Sequence, residues 1–203
     1  MTLAGLQKEI VRRLGPHGAK VGTVEDDLKA VLFDLSGKGD FILTSDTITT
    51  ADGTAGYALA TYCENAKSII GVSITEGDWL DLATFKDYQK YIENTSSPSE
   101  SEPERYCVHN GTLYLFDGVP DQAYTATVFY SKFHDDSTTI EFSDDFREAI
   151  IAGTIAMVWE TKLNDQDGWA DKAAYWRAKY LAEVVEQRMN RRGQPRITKY
   201  KDV

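Results

Sequence analysis

Helical periodicity at both ends of the chain, with short β-rich runs between, predicts an α+β fold. Its form is a discontinuous helical bundle, an inserted antiparallel β domain (a sandwich or barrel-like) and an extended C-terminal tail. Three observations carry this. Apolar residues recur at three- and four-residue spacing across 3–35 and again across 146–184. Between 40 and 142 they give way to short β-branched and aromatic runs separated by turn formers. Past Gly193 and Pro195, which stop a helix, no apolar period remains. The expected domains are 1–39 with 143–192 for the bundle, 40–142 for the β domain and 193–203 for the tail.

Thr2 can cap a first helix that carries Leu3, Leu6, Ile10, Val11 and Leu14 on one side and ends at Gly15–Pro16. Thr23, with Asp26 three residues on, resembles a capping box opening a second helix. That helix presents Leu28, Val31, Leu32 and Leu35 and stops at Gly37, so the two helices form a hairpin in need of partners. Strands are expected within 41–50, 55–60, 67–74, 105–109, 111–116 and 123–133. Asn110–Gly111 marks a hairpin, because both positions tolerate positive φ. A short helix over 84–92 aligns Phe85, Tyr88 and Ile92, and the acidic, Ser/Pro-rich 93–104 reads as a mobile surface loop.

Ser143 is a helix cap with Asp144 and Asp145 in the first turn, where the helix dipole favours anions. The helix that follows is apolar over a wide arc. Phe146, Ile150, Gly153 and Met157 share one face and Ile151, Ile155 and Val158 the next, which makes it central to the bundle. After a polar turn at 164–168, the last helix sets Ala173, Trp176, Tyr180 and Val184 together.

The 203 residues carry a net charge of −10, unevenly distributed. Arg188, Arg191, Arg192, Arg196, Lys199 and Lys201 face only Asp202, so residues 188–203 carry +5 and the rest of the chain −15. With Ile197 and Tyr200 between them, these cations read as a docking tail for a larger, negative partner. Removing 188–203 is expected to abolish docking and leave the fold intact. An acidic surface does not grip nucleic acid across a broad face. No run of 18 apolar residues exists to span a membrane, and residues 1–15 lack the continuous apolar core of a signal peptide, so synthesis in a reducing cytoplasm is expected. Cys63 and Cys107 then read as small buried apolar residues, not a disulfide.

Residues that could carry chemistry do not assemble into a pattern. His17, His109 and His134 are scattered away from the cysteines, so no metal site is expected, and His109 reads as an exposed hairpin residue. Gly15–Lys20 lacks the spacing of a phosphate loop. Asp165–Gly168 would need ligands at Leu163 and Ala174 to close a calcium loop. The pairs Asp26–Asp27, Asp135–Asp136 and Asp144–Asp145 sit where capping and solvation explain them, which leaves an acidic hydrolase without named carboxylates. No catalytic residues and no cofactor are expected. Tyr106, Tyr114, Phe116, Tyr124, Phe129, Tyr130 and Phe133 crowd one stretch. They read as a β core with cross-strand pairs, the alternative being a carbohydrate- or receptor-binding module. Such a module would leave the tail unexplained, and of Trp79, Trp159, Trp169 and Trp176 most fall in expected helices.

Several stretches resemble the head–tail adaptor (connector) proteins of tailed bacteriophages. Pro103, Tyr106, Gly111, Leu113, Tyr114 and Leu115 are similar to the family's P-x-x-Y…G-x-L-Y-L hairpin, followed by Val119–Pro120–Asp121 and the strand Tyr124–Phe133. Gly53, Thr54, Tyr57 and Leu59 match G-T-x-x-Y-x-L, without the proline that often follows. Phe142–Ile150 and Ala174–Tyr180 resemble the family's last two helices. The resemblance covers nearly the whole chain as an order of elements and is loose residue by residue. It implies a non-enzymatic virion protein that forms a homo-oligomeric, twelve-fold ring between the portal protein and a tail or nozzle protein. The ring would extend the DNA channel, with DNA passing non-specifically and no membrane involved. It also implies that the C-terminal extension reaches into the portal. Glu100, Glu102, Glu104, Asp117 and Asp121 are the candidates for contact on the tail side.

Overall fold

The computed structural model describes residues 1–74, 78–95, 100–135 and 139–192, and the chain in it is mixed α and β. In chain order the elements are α1 (Leu3–Arg13), α2 (Gly18–Val21), α3 (Glu25–Lys38), β1 (Leu43–Thr49), β2 (Gly56–Ala58), α4 (Leu59–Tyr62), β3 (Ala66–Ile74), β4 (Asp78–Trp79) and β5 (Asp81–Leu82). There follow α5 (Phe85–Asn94), β6 (Arg105–His109), β7 (Thr112–Phe116), β8 (Thr125–Lys132), α6 (Arg147–Thr161) and α7 (Trp169–Arg192). The chain divides into two units: one holds Met1–Ile42 and the segment that begins at Phe133, the other Leu43–Lys132. The expected tail, 193–203, lies outside the described residues.

The helical unit is built around α6. Ala149 to Ala156 are buried without interruption, so this helix has no solvent face over two turns. At Gly153 the neighbours close in: a Cβ there would stand 2.7 Å from Val31 and 3.1 Å from the Tyr180 ring. Leu6, Ile10 and Leu14 of the N-terminal segment and Leu28, Val31, Leu32 and Leu35 of α3 join this core, as the spacing predicts. Both α1 and α3 pack on α6, the partner that their apolar faces were expected to need. Thr2 caps α1 by accepting the Gly5 amide at 3.2 Å. Helix α1 ends before Gly15–Pro16 as expected, and a 3₁₀ turn, Gly15–His17, then leads directly into α2.

The capping box expected at Thr23 is displaced. Helix α3 starts at Glu25 behind Val24, which is buried and carries no capping side chain, while Thr23 accepts the Glu25 amide at 3.2 Å. Burial of Val24 fixes the chain's entry angle, and the Thr23 carbonyl is taken by Lys162 Nζ at 2.5 Å. Ser143 likewise makes no side-chain cap; a 3₁₀ turn over Asp144–Phe146 precedes α6.

The β unit is a sandwich. One sheet runs β1-β8-β3-β4 and the other β2-β7-β6-β5. Strands β1 and β8 pair antiparallel from Leu43–Ser131 to Thr49–Thr125. Ile48, Val72, Ile74, Ala126 and Val128 from the first sheet share a core with Tyr57, Tyr106, Leu113 and Leu115 from the second. Among the described residues the sheets do not close into a barrel. Asn110 (φ 47°) and Gly111 (φ 73°) turn β6 into β7 as predicted.

Two departures are instructive. Strand β5 pairs parallel to β6, a geometry that needs a crossover, and α5 with the residues after it supplies one. Helix α5 begins as expected at Thr84, where a complete capping box forms with Asp87, and continues to Asn94. Of the segment expected to be mobile, 96–99 lies outside the described residues, whereas 100–104 is tied down. Glu100 bridges Val119, the Ser101 amide donates to the Val119 carbonyl at 2.8 Å, and Pro103 is buried. After Leu59, where the resemblance lacks its proline, the chain turns into the single-turn helix α4.

Candidate docking surfaces

The first surface is the C-terminal end of α7 in the helical unit. Its register is held by long-range pairs. Arg177 meets Glu160 at 2.8 Å through Nε, and Tyr180 donates to Asp34 at 2.7 Å. Lys179 reaches Glu148 at 3.2 Å, and Glu148 in turn takes both amino groups of Arg13, at 2.8 and 2.7 Å. The Arg13 guanidinium, with help from Lys179, holds the Glu148 carboxyl down at about 2. Towards its end α7 is clamped: Gln187 donates to the Asp145 carbonyl at 3.1 Å and Arg188 to the Lys38 carbonyl. Arg191 donates to the Phe41 carbonyl at 2.9 Å and lies over the rings of Phe146 and Phe41, 5.0 and 5.9 Å from their centroids. Burial pushes its guanidinium below its ordinary value. Asp145, Gln187, Asn190 and Arg191 line an open polar notch of about 380 Å³.

The docking cations named from sequence therefore fall into three groups. Arg188 is exposed, with one donor bound to its own unit, and Arg191 is half-buried on two aromatic rings. Arg192 closes α7, but its side chain lies outside the described residues, as do Arg196, Ile197, Lys199, Tyr200 and Lys201. A truncation from Arg188 would remove the clamps on Lys38 and Phe41 together with the tail, so it is not the neutral deletion expected from sequence.

The second surface lies at one edge of the β unit, where residues 100–104 run beside the turn after β7. Glu100, Glu102, Glu104 and Asp121 are exposed. Asp117 (φ 57°) pairs with Arg105 at 3.1 Å. The Tyr124 hydroxyl donates to Asp121 at 2.6 Å; that bond holds the phenol above its ordinary value, and the nearby charge of Glu102 adds to it. The five acids named from sequence thus share one rim. What the sequence did not disclose is how firmly this rim is built into the second sheet: the Glu104 carbonyl accepts the Asp81 amide at 2.9 Å.

Several aromatic residues of the β unit stack on each other. Tyr88 packs on Tyr114 at 4.6 Å and Trp79 on Phe129 at 4.9 Å. His109, expected to be exposed, is half-buried and stacked on Phe85 at 3.9 Å, because α5 covers that face of the second sheet. Cys63 and Cys107 are free and buried. Leu59, Cys63, Ile69, Leu82, Phe85 and Tyr106 are among the residues lining an open groove of about 570 Å³, which no local pattern signals because its walls come from separate elements. Among the described residues, no three His, Cys, Asp or Glu side chains gather as metal ligands, and no helix is long and apolar enough to cross a membrane.

A clamped helix leading into a basic segment and a sheet-bound acidic rim are the two features that stand out, and the class of the protein follows from the family comparison. The family profile described as "SU10 adaptor protein" matches residues 1–199, and the chain belongs to that family of phage adaptors. Its role is accordingly structural, as a component of the virion in contact with other virion proteins. No curated protein matches the chain.

Proposed function

We propose that this adaptor assembles as a ring, of twelve copies, between portal and tail, where it prolongs the DNA channel and offers the tail an attachment platform. In this reading the helical unit is one domain formed from both ends of the chain, the β unit is inserted in it, and the chain carries out no catalysis. The observation that carries the proposal is the path of α7: a helix anchored in the core and clamped at Lys38 and Phe41 ends, in sequence, directly before the basic residues Arg196, Lys199 and Lys201. Arg188, Arg192, Arg196, Lys199 and Lys201, with Ile197 and Tyr200, would engage the portal, each tail weakly and a closed ring of tails strongly. Glu100, Glu102, Glu104, Asp117 and Asp121 would face the tail or nozzle protein. An acidic channel wall would repel DNA and let it slide. Synthesis in the host cytoplasm precedes incorporation.

Native mass spectrometry of the chain mixed with the portal of the same genome tests this reading. Complexes with equal numbers of ring subunits are expected, and a variant ending at Arg192 should fold and fail to join them. Undiminished docking of that variant would overturn the role of the tail, and a folded full chain that never joins the portal would overturn the adaptor position itself. The carbohydrate- or receptor-binding reading loses ground because Tyr114 and Phe129 are already stacked within the unit.

A further inference from the structure

Strand β1 is the outer strand of its sheet, and among the described residues no backbone group bonds to its second edge. The Thr50 amide donates to the Tyr124 carbonyl at 2.9 Å, which sets the alternation along the strand before it: Thr44, Asp46 and Ile48 turn their backbone groups to β8. The amides and carbonyls of Leu43, Ser45, Thr47 and Thr49 therefore face outward, and all four residues are exposed. Proteins blunt such an edge with brevity, bulges, Pro or Lys. The opposite side of this sheet has the first two, since β4 is two residues long and the register of β3 breaks at Lys67 and Ile70. Strand β1 has none of these. Its pairs with β8 run unbroken, it holds no Pro, Lys or Arg, and its one charge, Asp46, is engaged by the Tyr130 hydroxyl.

A row of open amides and carbonyls without a cation in it selects an extended polypeptide. The end of α7 leads into one. Arg191 donates to the Phe41 carbonyl at 2.9 Å, and Phe41 stands two residues before β1 in the chain, so the residues after Arg192 set out close to the first residue of that strand. Eleven residues follow, 193–203, and at about 3.3 Å each they outrun the seven residues of β1 with enough left for a turn. Gly193 and Pro195 favour the turn, and Ile197, Thr198, Tyr200 and Val203 are strand formers. Charge agrees. Residues 43–132 hold thirteen acidic against five basic residues, a balance of −8, whereas 193–203 set Arg196, Lys199 and Lys201 against Asp202 alone. The edge of a second copy would bring its own −8 to the contact. A strand from any other protein must outcompete a tethered one, whose effective concentration over a short link is in the millimolar range. We infer that in the undocked chain its own C-terminal segment, 193–203, pairs with the open edge of β1 in the same direction, as a fifth strand of that sheet.

The pairing concerns the chain on its own; its release on docking rests on the portal reading above, and the test keeps the two apart. Hydrogen exchange is read residue by residue, by mass spectrometry with electron-transfer fragmentation. Three preparations are compared: the full chain, the variant ending at Arg192, and an Ile197→Pro, Thr198→Pro variant that keeps every charge but loses an amide in either register. Circular dichroism checks that each folds. In the full chain the amides of Leu43, Ser45, Thr47 and Thr49 should exchange about tenfold or more slowly than in the two variants, with Thr44, Asp46 and Ile48 alike in all three. Equal exchange at the four amides in the full and shortened chains overturns the inference. Protection that survives the two prolines overturns strand pairing in favour of attraction by charge alone. Protection that grows with protein concentration overturns it in favour of another copy's segment. Added portal should release the four amides; protection that the portal leaves untouched supports the pairing and overturns the role of the tail in docking.

Discussion

Glu148 shows how much one side chain can organise. It joins α1, α6 and α7 by accepting from Arg13 and Lys179, and its carboxyl is held from the ordinary 4.5 down to about 2, chiefly by the Arg13 bond. A depressed folded-state value means stability that is fully present above about pH 4.5 and lost as the pH falls towards 2. Replacing Glu148 with Gln should therefore lower the melting temperature at pH 7 and flatten its decline between those limits; parallel acid profiles for the two proteins would refute the assignment. Gly153 makes the opposite point, that an absent side chain can be required. Gly153→Ala gains about 1 kcal/mol in helix propensity. It also drives a methyl into Val31 and the Tyr180 ring, at an overpacking cost of ~1–3 kcal/mol. The net outcome should be a lower urea midpoint, read by tryptophan fluorescence, since Trp159, Trp169 and Trp176 report on the helical unit. From sequence, Gly153 could be placed on the core face of its helix. The Glu148–Arg13 pair could not be found, because its members stand 135 residues apart and carry no local pattern.

At the scale of elements, what could be read in advance followed from length and period. Helices α1, α3, α6 and α7 each repeat an apolar face over several turns, and β1, β3, β7 and β8 are long enough to show β-rich composition. Strands β4 and β5 are two residues each, too short to display any period, and they exist because neighbouring strands hold them. The starts of α3 and α6 were misplaced because tertiary packing of Val24 and Phe146 outweighed local capping chemistry. Helix α5 is the element in which local and long-range signals agree. Thr84 and Asp87 cap it reciprocally, and its aromatic side chains lie on Tyr114 and Phe116. Thr84→Ala should cost about 1 kcal/mol and raise hydrogen exchange first in the α5 amides. A uniform change across the β unit would show that α5 is not a separately opening element.

For the whole molecule, the division into a basic end and an acidic remainder was legible from charge alone. What the local sequence could not reveal is that Arg191 is drawn onto Phe41 and Phe146, residues distant in the chain, so that not every cation of the segment faces solvent. The proposed docking to the portal should weaken as salt rises, because exposed charges are screened beyond about 10 Å at ~0.1 M ionic strength. Titration of binding against salt checks this, and a flat response would assign docking to the apolar Ile197 and Tyr200 instead. The helical core draws on both sides of the residues Leu43–Lys132. On the ribosome, then, α1 and α3 emerge with their apolar faces uncovered and wait for α6 while that whole stretch is made, on the order of 5–20 s at typical elongation rates. The basic segment leaves the exit tunnel after α7, so the chain displays its concentrated positive charge only when the helical core can already close.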